Sequence, residues 1–543
     1  MQLASFLRRL RLSPFFNSLI VMGGYILSRV TGLVRDVILA AQFGTSPDFA
    51  AYRAAFKVPD LLYIVIIGGA LGSTFIPVFI EVWDRDGSER AWRMASAVLT
   101  WVLGLLALAS GLLWVLAPLL IGWFFGGQGF SPTGRELITD LTRLFLLSPL
   151  LLGLGGLAMA ALNARDRFTL PAMAPSVYNL GIIAGTLVLA PRLGIWGTAW
   201  GVIVGALGYL LVQIPGLFRL GMRLRLTMGR GMAELRTIAS QMAPRVVGQS
   251  AAQLSILVTA ALTARLALGD EKLAGLDYAY QLMLLPYGIF ALSLSTVAFP
   301  LLARLFADRQ LDELADRVRQ TLRMILFLTL PATVMLMVLA VPLVRLVLQR
   351  GEFDQVSLTF TVMPLLAYAT ALPAFAASEI LIRTFYAMQQ TLVPVLVGLL
   401  QVGLNLGLGI LALNMGGNVG TLALAFSVAN NIEMLLLLIL LQRLLPGIWR
   451  DGALRRSVLA SGLATVVLGG MVWTVRQMSL ATLPFLALDG LYAWRADMLA
   501  LVAWLVAVGM VALALYVTLA AFLGSGEARI VLSRLRHLAA RER

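Results

Sequence analysis

The chain has 543 residues, 60% hydrophobic and only 13% charged, about half the charged share of an ordinary soluble domain. Apolar runs near or above about 18 residues recur between short polar loops, which excludes a soluble fold and specifies a polytopic α-helical membrane protein. With no cysteine and one histidine, disulfides, thiolate nucleophiles and a transition-metal centre are excluded, so neither a metal nor another cofactor is expected.

The first residues, "MQLASFLRRLRLS", are basic and run straight into a long apolar stretch without a small-residue cleavage site. An uncleaved first helix is the expectation. About fourteen spans follow, with no strand alternation that would suggest a barrel. Six lie near residues 15–42, 53–80, 94–123, 139–162, 170–190 and 194–216. Six more lie near 237–266, 276–303, 322–348, 357–388, 391–413 and 419–442, and the last two near 457–475 and 496–523.

With the N-terminus cytoplasmic, the even-numbered connections and both tails face inward. They hold most of the Lys and Arg, led by "FRLGMRLRLTMGRGMAELR" and "ARLFADRQLDELADRVRQTLR". The net charge of +15 is therefore mainly a topology signal, with both termini inside. No basic folded domain or recognition motif is visible, so no nucleic-acid partner is expected. His537 falls in the basic tail, where a surface residue is the expectation.

Three features recur at one offset. Pro77 matches Pro300, Pro171 matches Pro394, and Gly197-Thr198 matches Gly420-Thr421, each pair 223 residues apart. A single spacing for three matches indicates duplication. Spans one to six overlie spans seven to twelve, and because six is even the halves enter the membrane in the same direction. Parallel repeats of this kind are a transporter architecture, with the site expected between them near the midplane. The expected division is 1–220 and 221–445 as six-helix lobes, with 446–543 supplying two added helices and a basic tail.

The segment "YILSRVTGLVRD" places Arg29, Arg35 and Asp36 inside the first span. A charge there costs at least about 2.5 kcal/mol, so it needs a partner or a wet cavity. Arg29 and Asp36, seven apart, share a helical face, and a bend at Gly32 would bring both arginines together. Arg53, Lys57 and Asp60 form a stripe on the second span. The surplus is cationic, and arginine forks match phosphate oxygens bidentately, so a phosphate or pyrophosphate is the expected ligand. The alternative is that Arg29–Asp36 and Lys57–Asp60 are internal ion pairs. Glu379 and Arg383, four apart on the tenth span, are expected to satisfy each other. Gln401, Asn405 and Glu433 form a candidate cation site in the second half, with helix-to-helix hydrogen bonding as the alternative for the amides. Arg245 and Arg345 lie near span ends, where snorkelling is the expectation. No Walker loop GxxxxGK[ST] occurs, so ATP hydrolysis by that route is excluded.

"SRVTGLVRDVILAAQFG", "AAFKVPDLL" and "GSTFIPVF" together resemble the opening of the MurJ (MviN) lipid II flippases, within the multidrug/oligosaccharidyl-lipid/polysaccharide exporter superfamily. The likeness continues through "NARDRFTLPAMAPSVYN", "LDYAYQLMLLPYGIFALSLSTVAFPLLARL", "LVLQRGEFD" and "RTFYAMQQTLVPV". It implies a non-enzymatic transporter of the bacterial cytoplasmic membrane, with two lobes rocking about a central cationic cavity. It further implies lipid II as cargo, with the headgroup in the cavity and the tail along the last two helices. Membrane lipids and envelope-synthesis proteins are the other implied partners. Three positions depart from the family pattern. Tyr63 and Gln281 stand where arginines are common, and Gly68 where an acid is common. Tyr63, Gln281, Glu379 and Arg383 are accordingly weaker cavity candidates. The seventh and eleventh spans lack the carboxylates of the sodium site in some relatives, so sodium coupling is not expected. Export of another polyprenyl-linked glycan, or a non-transporting scaffold for envelope synthesis, are the competing readings.

Overall fold

The structure is a computed structural model that describes residues 14–68, 74–225, 227–229, 231–449 and 452–541. The basic N-terminal stretch and the side chains of Arg245 and His537 lie outside the described residues. All regular structure among the described residues is helical. Outward faces are lined by large apolar side chains such as Leu108, Leu119, Met510 and Leu513, each more than half exposed. A soluble monomer does not present apolar surface on this scale, and these faces meet lipid.

The chain divides into two units, Met1–Leu254 and Ser255–Arg543. The first contains α1 (Pro14–Phe43), α2 (Pro47–Tyr63), α3 (Ile76–Phe125), α4 (Pro132–Phe145), α5 (Ser148–Asn163), α6 (Thr169–Ala184) and α7 (Ile195–Leu211). Helix α8 (Ala233–Thr263) carries the chain into the second unit. There α9 (Gly269–Pro286), α10 (Ser293–Ala307), α11 (Leu311–Val338), α12 (Ala340–Val347), α13 (Gln355–Ala369) and α14 (Leu372–Ala387) follow. The chain continues as α15 (Leu392–Asn414), α16 (Val419–Leu444), α17 (Ala453–Ser479), α18 (Trp494–Phe522) and α19 (Gly526–Arg541).

The 223-residue spacing reappears in the backbone. Helices α4 and α13 start at 132 and 355, and α6 and α15 start at 169 and 392. Their caps match as well: the Ser131 side chain accepts from the Gly134 amide, and Asp354 from the Ser357 amide, each satisfying an orphan donor of the first turn. The turns before α6 and α15 both use a left-handed residue, Asp166 (φ 56°) and Gln389 (φ 60°). π-helical turns fall at Ile64–Gly68 and Tyr287–Leu292, again at matching positions. Such turns mark a widened ladder that sequences retain at functional sites. Packing repeats too, α6 against α7 as α15 against α16, and α2 against α4 as α9 against α13.

Among the described residues, ten helical segments are long and apolar enough to cross a membrane, eleven if α13 and α14, bent by 51° at their junction, form one broken span. The remaining expected crossings fall on α1 with its charges, on α2 with its π turn, and on α8. Fourteen therefore remains a proposed count.

Each unit has its own core. In the first, Phe75 stacks on Phe79, whose ring meets Trp92 edge-on, in one cluster with Leu62 and Leu99. In the second, Leu302, Ile325, Ile380 and Phe385 pack together. A separate apolar cluster joins α11 to α17 and α18 through Phe327, Leu468 and Tyr516. The Tyr516 hydroxyl donates to the Phe327 carbonyl at 2.7 Å, which satisfies its polar tip within an apolar contact.

Candidate functional site

Helix α1 runs unbroken through Gly32, so no bend brings Arg29 toward Arg35. Arg29 is exposed and makes no ion pair among the described residues. Asp36 is instead held by its own neighbour. Arg35 donates to Asp36 Oδ1 from Nε at 3.0 Å and from Nη2 at 2.9 Å. This corrects the Arg29–Asp36 alternative. Residues seven apart do share a face, but an arginine side chain is long and flexible enough to curl back onto the adjacent carboxylate.

The other end of the guanidinium is fixed from α6. Arg35 Nη1 donates to Asn179 Oδ1 at 3.0 Å, while the Asn179 amide nitrogen lies 3.3 Å from both the Ser28 carbonyl and the Thr31 hydroxyl. The approach is close because Gly24 leaves room for α6: a Cβ there would lie 2.4 Å from that of Ala172. Arg35 is 23% and Asp36 15% exposed, so the pair is shielded without being sealed. An arginine has five N–H donors. The three bonds just described leave two for another acceptor.

Helix α2 supplies the neighbouring wall. Tyr52 is buried against Phe49, Phe56 and Phe145, with ring centroids 5.0–5.8 Å apart. Arg35, Asp36, Arg53 and Asp60 all lie within electrostatic reach of its hydroxyl. Tyr178, beside Asn179 in sequence, is likewise reached by Arg35, Asp60, Tyr52 and Tyr63. Arg53 rests over the Phe49 ring at 5.5 Å, a cation–π contact that steadies the charge. Arg53, Lys57 and Tyr63 are half-buried, whereas Asp60 is exposed. Tyr63 packs against the apolar core of its unit.

Sequence reasoning missed Asn179, Tyr52 and Tyr178. Asn179 had a signal of its own, a single amide in the otherwise apolar α6, a placement that costs free energy unless the amide is hydrogen-bonded.

The second unit holds no equivalent charge at the matching place. Position 259, which is 223 beyond Asp36, is Thr259. Asn405 donates to the Ser255 and Thr259 hydroxyls, both at 2.9 Å, and Gln401 donates to Ser255 at 3.0 Å. The amides thus bind α15 to α8 as the Arg35–Asn179 contact binds α6 to α1. Glu433 is half-buried on α16 and makes no hydrogen bond among the described residues. No metal-holding group of three or more His, Cys, Asp or Glu occurs among the described residues. Asn405→Leu is expected to lower stability by about 0.6–1.7 kcal/mol, measured as a thermal midpoint shift that is the same in sodium and potassium buffers. A shift confined to sodium would identify a cation site.

Glu379 and Arg383 satisfy each other at 2.7 Å, and Tyr287 in the π turn donates to the second Glu379 oxygen at 2.8 Å. Gln281 is half-buried beside Tyr280, whose ring meets Tyr368 and Phe426. Arg345 overturns the snorkelling expectation: it is fully buried, donating to backbone carbonyls of the loop between α17 and α18.

An internally duplicated, all-helical, multi-pass chain with charged residues buried inside a span defines a membrane transporter rather than an enzyme. Solved structures agree on the fold. A structure described as "Lipid II flippase MurJ, inward closed conformation" matches with a TM-score of 0.73 at 23% identity, covering 93% of this chain and 98% of that one. An inward-facing multidrug resistance MATE transporter of the MOP superfamily matches at 0.64 and 13% identity, covering 78% and 96%.

The family model for "Lipid II flippase MurJ" matches residues 39–492, and the chain belongs to that family. The lipid II flippase MurJ of Burkholderia cenocepacia is 29% identical over 478 residues, 84% of this chain and 90% of the relative. The probable lipid II flippase MurJ of Vibrio cholerae serotype O1 is 30% identical, covering 78% and 81%.

Proposed function

We propose that this chain carries lipid II, an undecaprenyl-pyrophosphate-linked peptidoglycan precursor, from the inner to the outer leaflet of a bacterial cytoplasmic membrane. The observation that carries the reading is Arg35, a guanidinium inside the first helix, oriented by Asp36 and Asn179 and retaining two N–H donors. A diphosphate is the acceptor such a fork suits best. Arg53 and Lys57 on α2 add positive charge, with Asp60 and Tyr63 on the same helix as further members of the proposed cluster, while Arg29, exposed on α1, is left out of it. Family membership and the names of the relatives support lipid II over other anions.

Movement is by alternating access between lobes 1–220 and 221–445, with 446–543 as the added helices. The lysine and arginine bias of the even-numbered loops supports cytoplasmic termini. The competing cargo, another polyprenyl-linked glycan, shares the diphosphate and differs in the sugar.

The test is complementation of a flippase-depleted bacterium, read as the leaflet accessibility of labelled lipid II. Rescue with outward movement of lipid II is expected. A chain that reaches the membrane and leaves lipid II inside would refute the proposal and favour another glycan or a scaffold role.

A further inference from the structure

We propose that Glu433, inside the second unit, is a proton-binding site that takes up and releases one proton as the transporter changes conformation. The site itself does not depend on the cargo, whereas its coupling to movement rests on the transport reading above. Glu433 stands near the middle of the 26-residue α16 and is the only acid of that helix. The one other charge there is Arg443, exposed in the last turn.

The helix sets the direction of the side chain. Leu424, Val428, Leu435 and Ile439 are exposed and share one face of α16, the face that meets lipid. Glu433 follows Leu424 by nine residues, about two and a half turns at 3.6 residues per turn, so it points the opposite way. Phe426, Asn430 and Leu437, on its own side, are buried. Glu433 is only half-buried, so its carboxyl meets space within the protein rather than acyl chains.

No neighbouring charge neutralises it. Helix α15 and the turn Pro446–Trp449, both packed on α16, carry no titratable residue. Helix α13 brings Tyr368 and α9 brings Tyr280, both against the Phe426 ring. Asp277 of α9 lies within reach of those two tyrosines, Tyr278 packs on Phe353, and Asp270, Glu271 and Lys272 occupy the first turn of α9. On α14, Glu379 and Arg383 hold each other, and Tyr386 stands at the helix end. None of these groups reaches Glu433 electrostatically or by a hydrogen bond. A lone carboxylate at this depth is costly, and a single proton removes the charge with no further ligand. A metal ion needs a shell of oxygens, and the α15 amides Gln401 and Asn405 are already given to Ser255 and Thr259.

The same helix holds a bend. Ser427 donates to the Ala367 carbonyl at 2.8 Å and Asn431 to the Thr370 carbonyl at 3.4 Å, both at the 51° junction of α13 and α14. A charged Glu433 favours the arrangement that admits water to its face of α16, and a neutral one the arrangement that excludes it. That difference is what lets one proton shift the balance between conformations.

Infrared titration of the full chain in nanodiscs is expected to show a protonated-carboxyl C=O band that comes and goes with pH. The band should be absent in Glu433→Gln and present but displaced in Glu433→Asp, which covers the case of a glutamine variant that does not fold. A band unchanged in both variants, or one that sodium removes at constant pH, would overturn the proton site. In proteoliposomes with the membrane potential clamped at zero, a gradient of about one pH unit should shift the leaflet distribution of labelled lipid II about tenfold for one coupled proton. Reversing the gradient should reverse the shift, and Glu433→Gln should lose it. A wild type that moves lipid II to the same distribution in both gradients would overturn the coupling. One that moves no lipid II refutes the transport reading instead, and the infrared band then decides the proton site alone.

Discussion

Arg35→Ala is expected to abolish lipid II translocation while the protein still reaches the membrane in normal amount. The guanidinium is held at both ends, by Asp36 on its own helix and by Asn179 across on α6, so little entropy is lost when it meets an anion. Its removal forfeits a charge-assisted bond worth roughly 1.5–3 kcal/mol, or about 10- to 150-fold in affinity. It also removes one counter-charge from the Asp36 carboxylate, only 15% exposed, which makes the surroundings less favourable to a diphosphate. Arg35→Gln combined with Asp36→Asn separates the two effects, because it removes the donor fork and the carboxylate charge together while keeping shape. Transport should still fail in that double variant, whose thermal midpoint should recover relative to Arg35→Ala. Normal transport in the double variant would show that the pair only fastens α1. Asn179→Ala should give an intermediate loss, since it frees the fork without removing it.

Arg345→Met is expected to be the most destabilising single change in the second unit. Arg345 is fully buried and donates to the carbonyls of Phe485, Leu488 and Gly490, the last at 2.7 Å. Arg476 takes the Leu486 carbonyl at 2.7 Å, and Gln355 donates to Leu488. The loop from α17 to α18 therefore has its carbonyls turned inward onto two arginines. Methionine fills the volume but supplies no donor, leaving buried carbonyls unpaired. The expected cost is about 3 kcal/mol or more, from at least two charge-assisted bonds. Thermal midpoint and proteolysis within residues 483–493 are the readouts, and a shift smaller than that of Asn405→Leu would contradict the assignment. Arg345→Lys should recover only part, since an ammonium cannot span several carbonyls with one planar fork.

The duplication was legible because its markers are local. Prolines at 77 and 300, and Gly-Thr pairs at 197 and 420, sit where the backbone turns or packs closely, and the helix starts and caps follow the same offset. The long apolar runs were legible for a similar reason, since composition alone separates a lipid-facing helix from a soluble one. Side-chain partners were harder. Helical spacing offers Arg29 as one alternative partner for Asp36, yet the adjacent Arg35 pairs with it, a contact that a face-based argument cannot detect. Asn179 lies 144 residues from Arg35 and the carbonyls around Arg345 about 140 residues beyond it, distances over which no periodicity connects donor to acceptor. Glu379 and Arg383 were anticipated because their partnership lies within one helical turn.

The most direct test of the Arg35 account is equilibrium binding of lipid II and of a lipid II analogue whose diphosphate is replaced by a neutral linker, each to the wild-type chain and to Arg35→Ala. The wild type is predicted to prefer lipid II by about 10-fold or more, and Arg35→Ala to lose that preference. If the variant discriminates between the two ligands as the wild type does, the guanidinium in the first helix does not read the diphosphate.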